Sequence, residues 1–270
     1  MFERELEVAL AAVDQAWKYL DDAYEKFQAI PNAPASITTE ADRQVQEIVL
    51  RHLHAAFPGD SLCAEEATES LNTMPNTGDR LWIVDPIDGT RGFAQKNGEF
   101  SVMVGFLERG ELALGIVAQP AAKRLTYAVR GGGCWRRDDG GAPVRCQVGS
   151  APSLDQATLT QSRSKTPGKR SPMVQALNPA KILESYSAGI KLAFVARGEA
   201  DIYLNDYDAF RDWDIAAGHI LVTEAGGRVT GIAGQPLRYG IAGAWQRDGL
   251  VATNGRVHDL AIERLQSLKQ

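Results

Sequence analysis

The 270-residue chain predicts an α/β (α+β) fold. Three observations carry that reading. Residues 3–28 and 40–56 place apolar side chains at helical spacing. The run from Leu81 to Arg137 reads as strands joined by tight turns. Beyond residue 150, strands alternate with helices. Between the last two lies "DDGGAPVRCQVGSAPSL", rich in turn-forming residues. It sets the expected boundary between an α+β lobe of paired helices and antiparallel sheet, 1–149, and an α/β lobe, 150–270.

In chain order, Leu6, Leu10, Val13, Trp17, Leu20, Tyr24 and Phe27 form the stripe of the first helix. "IPNAPASITT" breaks it with two prolines and supplies hydroxyls to cap a second helix, Glu40 to Ala56, which stops at "FPGD". "SLCAEE" is a short strand ending in paired glutamates, and "ATESLNTMPNTGD" reads as a polar loop. Leu81–Val84 is a buried strand. "EFSVMVGFLERGELALGIVAQP" is a hairpin turning at Glu108–Gly110, and "RLTYAVRGGGCWRR" is a second pair turning at its glycines. Then follow a strand Thr158–Gln161, a short helix Ser171–Leu177, a helix Ile190–Arg197 and a strand Asp201–Leu204. A helix Trp213–Glu224 ends at two glycines, "GLVATN" is a strand, and His258–Leu268 is a closing helix.

Composition narrows the function classes. A hydrophobic share of 44% builds a sizeable core. A net charge of -5, with no aromatic-basic stripe, speaks against nucleic acid as a partner. Three cysteines (Cys63, Cys134, Cys146) and four histidines without metal-ligand spacing predict neither a disulfide framework nor a zinc site. The N-terminus "MFERELEVAL" is charged, unlike a signal peptide, and no apolar run approaches the ~18 residues of a membrane span. A cytoplasmic protein with no membrane partner is expected.

The informative stretch is "LWIVDPIDGTRGF", Leu81–Phe93, in which a buried strand runs into two carboxylates three residues apart. Glu65 and Glu66 end another strand, and Asp212 and Asp214 open a helix. Each alone fits a turn or a helix cap. Gathered in one place, they would repel unless a cation held them. Magnesium takes oxygen ligands and shares its site with phosphate and water. Asp85 and Asp88 are spaced to bind adjacent ions, with the Ile87 carbonyl between them. Pro86 fixes the backbone so that the two side chains converge, and Gly89 permits close approach of a ligand. A helix starting after Gly89 would aim free amides at an anion.

Glu65-Glu66, then "DPIDGT" at Asp85–Thr90, then "WDIAAG" at Trp213–Gly218, resemble in order and spacing the motifs of the inositol monophosphatase superfamily. Those proteins are magnesium-dependent, lithium-sensitive phosphomonoesterases. The resemblance implies a layered α/β/α/β/α sandwich with the active site in the cleft between the lobes. It implies two to three Mg2+ ions, a small phosphate ester as substrate and a homodimer. Glu65, Asp85 and the Ile87 carbonyl match ligands of the first metal. Asp85, Asp88 and Asp214 match those of the second, and Glu66 the acidic neighbour of a third. Thr90 with Asp42 matches the pair that orients and deprotonates the attacking water, and the Gly89 and Thr90 amides would hold the phosphate. The implied chemistry is in-line attack by a metal-activated water.

"RGFAQKNGEFSVMVGFLERGELALGIVAQP", "SRSK" (Ser162–Lys165) and "SAGIK" (Ser187–Lys191) look most like the 3'(2'),5'-bisphosphate nucleotidase branch, which serves sulfate assimilation. Its substrate is 3'-phosphoadenosine 5'-phosphate. Lys191 and Arg163 are then expected to hold the second phosphate, with Lys165, Lys169 and Arg170 as further cations. Inositol 1-phosphate, fructose 1,6-bisphosphate and histidinol phosphate are the alternatives. The chain departs from the family pattern where a loop lysine is expected near Asn32, at Ser36-Ile37-Thr38-Thr39, and at Ala188-Gly189. Those departures leave a catalytically weak metal-binding homologue as the second alternative.

Overall fold

The computed structural model describes residues 2–73, 78–164, 170–241 and 244–269. Helices α1 (Glu3–Lys26) and α2 (Glu40–Ala56) come first. They are followed by β1 (Ser61–Ala64), α3 (Glu69–Thr73), β2 (Arg80–Asp88), α4 (Thr90–Ala94), β3 (Ser101–Glu108), β4 (Glu111–Gln119), β5 (Arg124–Val129), β6 (Gly133–Asp138) and β7 (Val144–Arg145). The rest of the chain supplies β8 (Thr158–Gln161), α5 (Pro172–Leu177), β9 (Lys181–Glu184), α6 (Ala188–Ala196), β10 (Ile202–Asn205) and β11 (Phe210–Arg211). It ends with α7 (Asp212–Glu224), β12 (Arg228–Thr230), β13 (Trp245–Gln246), β14 (Leu250–Thr253) and α8 (His258–Gln266).

β1 to β7 form one sheet in sequence order, with β1 parallel to β2 and the rest antiparallel. The turn between β3 and β4 holds Arg109 and Gly110 at positive φ, as a tight hairpin needs. A second sheet has the order β12-β14-β10-β8-β9, so its strands arrive by crossovers. β11 and β13 pair apart from both.

Strand alternation sorts the side chains into layers. On β2, Trp82 and Val84 face α1 and α2, while Leu81 and Ile83 face the opposite way, toward α6 and α7. On β14, Leu250 and Ala252 face α6 and α7, whereas Val251 faces α5 and α8. The result is helix pair, sheet, helix pair, sheet, helix pair: the five-layered α/β/α/β/α sandwich. The outer helices touch the first sheet through small residues: Ala9, Ala12 and Ala16 of α1 are fully buried, while Leu6, Leu10 and Trp17 lie at the flank.

Three local expectations change. Part of the polar stretch after Glu66 is a helix, α3, held to α2 because Ser70 donates to Glu47 from both N–H and Oγ, at 3.1 and 2.6 Å. The boundary stretch contributes β7 as an edge strand on β6. β9, β11 and β13, with two to four residues each, are too short for alternation to announce them. Lys165 and Lys169 lie outside the described residues.

Candidate active site

The site begins with an irregularity in β2. Residues three apart on a regular strand point to opposite faces. Here Asp85 lies opposite Met103 and Asp88 opposite Ser101, so three steps on β2 match two on β3. The extra residue is a bulge at Pro86-Ile87, where the missing proline N–H breaks no ladder bond that a regular pair would need. Its effect is to turn Asp85 and Asp88 to the same face. Both open into one cleft of about 710 Å³, which Glu65, Ile87, Gly89, Thr90, Arg163, Lys191 and Asp214 also line.

The chain reverses at Gly89, whose φ is 87°. A Cβ there would sit 2.6 Å from the Glu99 carbonyl oxygen, so no other residue fits. α4 starts at the next residue. Thr90 Oγ1 lies 2.9 Å from Asp42 Oδ1 and 2.9 Å from the Ile87 carbonyl. A hydroxyl has one proton, so it donates to one of the two at a time. Asp42 is fully buried in the first turn of α2. Its Oδ2 accepts from Thr39 N–H at 2.8 Å and Thr39 Oγ1 at 2.6 Å. Burial raises its pKa above the ordinary carboxylate value, against the pull of the Thr39 and Thr90 hydrogen bonds.

Asp88 is gripped by the second half of the chain. Its Oδ1 accepts from Ala188 N–H at 3.0 Å, and its Oδ2 from Gly189 N–H at 2.7 Å, from Ser101 Oγ at 3.2 Å and from Ser187 Oγ. Ser187 is the N-cap of α6 and also accepts from Ile190 N–H. Asp88 thus supplies the negative charge that this helix end attracts. A Cβ on Gly189 would lie 2.7 Å from Met103 Sδ and 2.8 Å from Ser101 Oγ, so the close approach of α6 to β3 requires glycine.

Glu65 and Glu66 follow β1. Gln46, fully buried on α2, holds this turn by accepting from Glu66 N–H at 2.8 Å and donating to its carbonyl at 2.6 Å. Glu66 Oε1 accepts from Thr38 Oγ1 at 3.2 Å. Glu65 reaches solvent at the rim, yet the cleft walls shield its carboxyl. That desolvation, with the charges of Asp214, Glu66 and Asp42, pushes it up to about 8. Burial pushes Asp214 up to about 7, against the Arg211 N–H that donates to its Oδ2 at 2.5 Å. Asp85 rises well above its ordinary value through burial, then the charges of Glu65, Asp88 and Asp214. Burial and mutual repulsion thus favour the protonated forms of Glu65, Asp85 and Asp214, as in crowded carboxylates without a counter-charge.

These residues suit a hard divalent cation. Asp85 Oδ1 is buried with no hydrogen-bond partner, the donor set is all oxygen, and every shift among Glu65, Asp85 and Asp214 is upward. Among the described residues, no three carboxylates are drawn into a ready-made ion cage. Glu65 and Asp85 are hydrogen-bonded to each other, and Asp88 is turned toward α6. A cation held by Glu65 and Asp85 would take the place of the proton between them.

The expected phosphate-binding cations are placed differently from their sequence reading. Lys191 lines the cleft but is 1% exposed. Its three ammonium protons go to the Ser185 carbonyl at 2.9 Å, the Tyr186 carbonyl at 3.3 Å and Ser162 Oγ at 3.3 Å. Burial lowers it to about 8. Arg163 forks onto Glu99, with Nε donating to Oε2 at 2.7 Å and Nη2 to Oε1. Arg170 is exposed and lies outside the cleft lining. Asn32 is exposed, and the part of its loop lining the cleft, Ala35 to Thr38, has no basic residue. The lining residues that sequence reasoning passed over include Arg91, Tyr186, Tyr203, Asn205, Asp206, Tyr207 and Phe210. Ser101 and Ser187 were missed too. The N-cap position of Ser187 before "AGIK" is a readable signal, whereas Ser101 has none.

The comparisons with known proteins agree with this geometry. The family model described as the inositol monophosphatase family matches residues 2–270. The histidinol-phosphatase of Mycobacterium tuberculosis is 32% identical over 99% of this chain and 100% of its own length. The fructose-1,6-bisphosphatase/inositol-1-monophosphatase of Thermotoga maritima is 33% identical, covering 84% of this chain and 81% of its own. The 3'(2'),5'-bisphosphate nucleotidase of Salmonella typhimurium is 29% identical, covering 88% and 94%. Among solved structures, the Thermotoga maritima IMPase superposes with a TM-score of 0.80 at 27% identity, covering 99% of this chain and 98% of that one. With a match from the second residue to the last and the same layered fold, this chain belongs to the inositol monophosphatase family, and it is a phosphatase.

Proposed function

We propose that the chain is a magnesium-dependent phosphomonoesterase whose substrate carries a ring and a second anionic group, with 3'-phosphoadenosine 5'-phosphate the foremost candidate. The observation that carries the chemistry is the contact of Thr90 Oγ1 with Asp42 Oδ1, set beside the carboxylates of Glu65, Asp85, Asp88 and Asp214. Those four side chains and the Ile87 carbonyl would hold the metal, with Glu66 the acid for an outer ion. A bound magnesium ion supplies charge to a phosphoryl oxygen and acidifies water. Once Ile87 is engaged elsewhere, Thr90 donates to Asp42 and offers a lone pair to the attacking water. The proton then passes through Thr90 Oγ1 to Asp42 Oδ1, whose raised pKa suits it to receive one. Asp42 Oδ2, tied to Thr39, keeps the acceptor aimed.

For the substrate, the cleft offers a cationic wall of Arg91, Arg163 and Lys191 and the rings of Tyr186, Tyr203, Tyr207 and Phe210. That combination suits a base and a phosphate. A second reading, histidinol phosphate, is favoured by the end-to-end match to the mycobacterial relative and by Asp206 in the lining, a partner for an amine. Phosphate release in magnesium, with and without millimolar lithium, from these two esters, inositol 1-phosphate and fructose 1,6-bisphosphate tests both. Preference for the adenosine bisphosphate with lithium inhibition is expected. Preference for histidinol phosphate overturns the first substrate and keeps the metal chemistry. Silence across the panel favours the catalytically weak homologue, with the loop that lacks a basic residue as the leading suspect.

A further inference from the structure

We propose that Arg91 is the specificity residue of the cleft, binding an anionic group of the substrate other than the phosphoryl group that is cleaved. The inference rests on the phosphomonoesterase reading above and goes beyond it by assigning the contact.

Arg91 is half-buried and lines the cleft one residue after Thr90. Its Nε is buried with no hydrogen-bond partner, and among the described residues its side chain forms no hydrogen bond or ion pair. Other arginines around the fold are engaged: Arg163 on Glu99, Arg80 on Asp60 and Glu5, Arg197 on Glu199, Arg124 on Asp138. A buried guanidinium N–H without a partner is uncommon in a native structure and calls for one, and in a cleft wall a ligand can supply it. What Arg91 does contact is a ring. Its guanidinium carbon lies 5.2 Å from the centroid of Tyr186. The backbone carrying that ring is held from two sides, and a second guanidinium meets the ring itself. Tyr186 N–H donates to Glu99 Oε2 at 3.2 Å, its carbonyl accepts from Lys191 Nζ at 3.3 Å, and the Arg163 guanidinium lies 5.6 Å from the same ring.

The two cations expected to hold a second phosphate therefore build the platform instead. Lys191 spends its protons on the Ser185–Tyr186 backbone, and Arg163 spends its fork on Glu99. Among the described residues lining the cleft, Arg91 is the cation with donors left to offer. Stacking on a fixed ring keeps the guanidinium plane oriented, and its planar fork matches two oxygens of a phosphate or carboxylate. A site built around such a contact discriminates strongly against the ligand that lacks the anion.

The test is a matched pair with one cleaved ester: 3'-phosphoadenosine 5'-phosphate, and adenosine 3'-phosphate, which lacks the second phosphate. In magnesium, the wild type is expected to prefer the bisphosphate in kcat/KM by tenfold or more. Arg91→Met should lower that ratio by at least tenfold, and Arg91→Lys, which keeps the charge and loses the fork, should restore only part of it. Calorimetric titration with AMP, which retains the second phosphate, reads the same contact without turnover and should show at least tenfold weaker binding to Arg91→Met. Thermal melts verify folding, and Arg91→Lys carries the test if Arg91→Met does not fold. If the wild type prefers the bisphosphate and the variants keep the full ratio, the assignment of Arg91 is overturned while the substrate reading stands. If the wild type does not separate the pair, the second-anion reading falls, and this inference with it.

Discussion

Asp42 divides one carboxylate between a helix cap and the proposed proton path. Oδ2 closes the capping box of α2 with Thr39, and Oδ1 meets Thr90. The two roles separate by substitution. Thr39→Ala removes the hydroxyl that bonds Oδ2, and a lost cap costs about 1 kcal/mol, visible in a denaturation curve. Asp42→Asn keeps a polar side chain at the helix start but cannot take a proton from Thr90. Its kcat should fall by roughly 10²–10⁴-fold, the worth of a positioned base, with a melting temperature near that of the wild type. Steady-state kinetics beside a thermal melt checks the split. The contact of Asp42 with Thr90 was expected from the family resemblance. Ser187, which holds Asp88, had a readable N-cap signal that was passed over, and Ser101 had none. Ser101 is an unremarked strand residue until β3 sets it opposite Asp88. Lys191 spends its donors on the backbone while Arg91 keeps its own, and a sequence does not show where a cation's donors point.

At the scale of elements, the bulge in β2 and the start of α6 act together. The bulge turns two acids to one face, and α6 presents amides to one of them. Gly189 allows that contact, since a methyl group there meets Met103 and Ser101 inside ordinary contact distance. Gly189→Ala should therefore cost about 1–3 kcal/mol, the usual penalty of overpacking, and should lower activity at temperatures where the protein stays folded. Urea unfolding and kinetics at 15 °C would show both. The long elements were legible because their periodicity extends over many residues. The bulge was legible only in part: Asp-Pro-Ile-Asp announced a bend, but the partner register that makes it a bulge is a property of two strands.

Across the whole molecule, three cores join five layers, the middle one filling both faces of α6 and α7, and the acids gather where the first sheet meets those helices. Glu65 at about 8 and Asp214 at about 7 lie above their ordinary values, so the folded, metal-free protein binds protons more tightly than the unfolded chain. That contribution to stability is complete below about pH 4 and is lost as pH rises through 7 to 8. With EDTA, the melting temperature should fall between pH 5.5 and 8.5 relative to the magnesium-loaded protein. The rise on adding magnesium should be larger at pH 8.5. Equal rises at both pH values would contradict the placement of the ion among these acids. The layered architecture followed in the sequence from the family likeness, whereas its physical basis, the division of β2 and β14 between neighbouring cores, needed the sheets to be seen.

The hold of α6 on Asp88 also has a consequence in time. The acceptor and its backbone donors lie 100 and 101 residues apart. At the usual pace of translation the nascent chain carries Asp88 for roughly 5–20 s before Ala188 and Gly189 are made, and Asp214 follows later still. The first sheet therefore has its chance to assemble on the ribosome, with Glu65, Asp85 and Asp88 in place, while Asp214 and the α6 amides are still to be made. A chain released early would be an inert protein rather than an unregulated hydrolase.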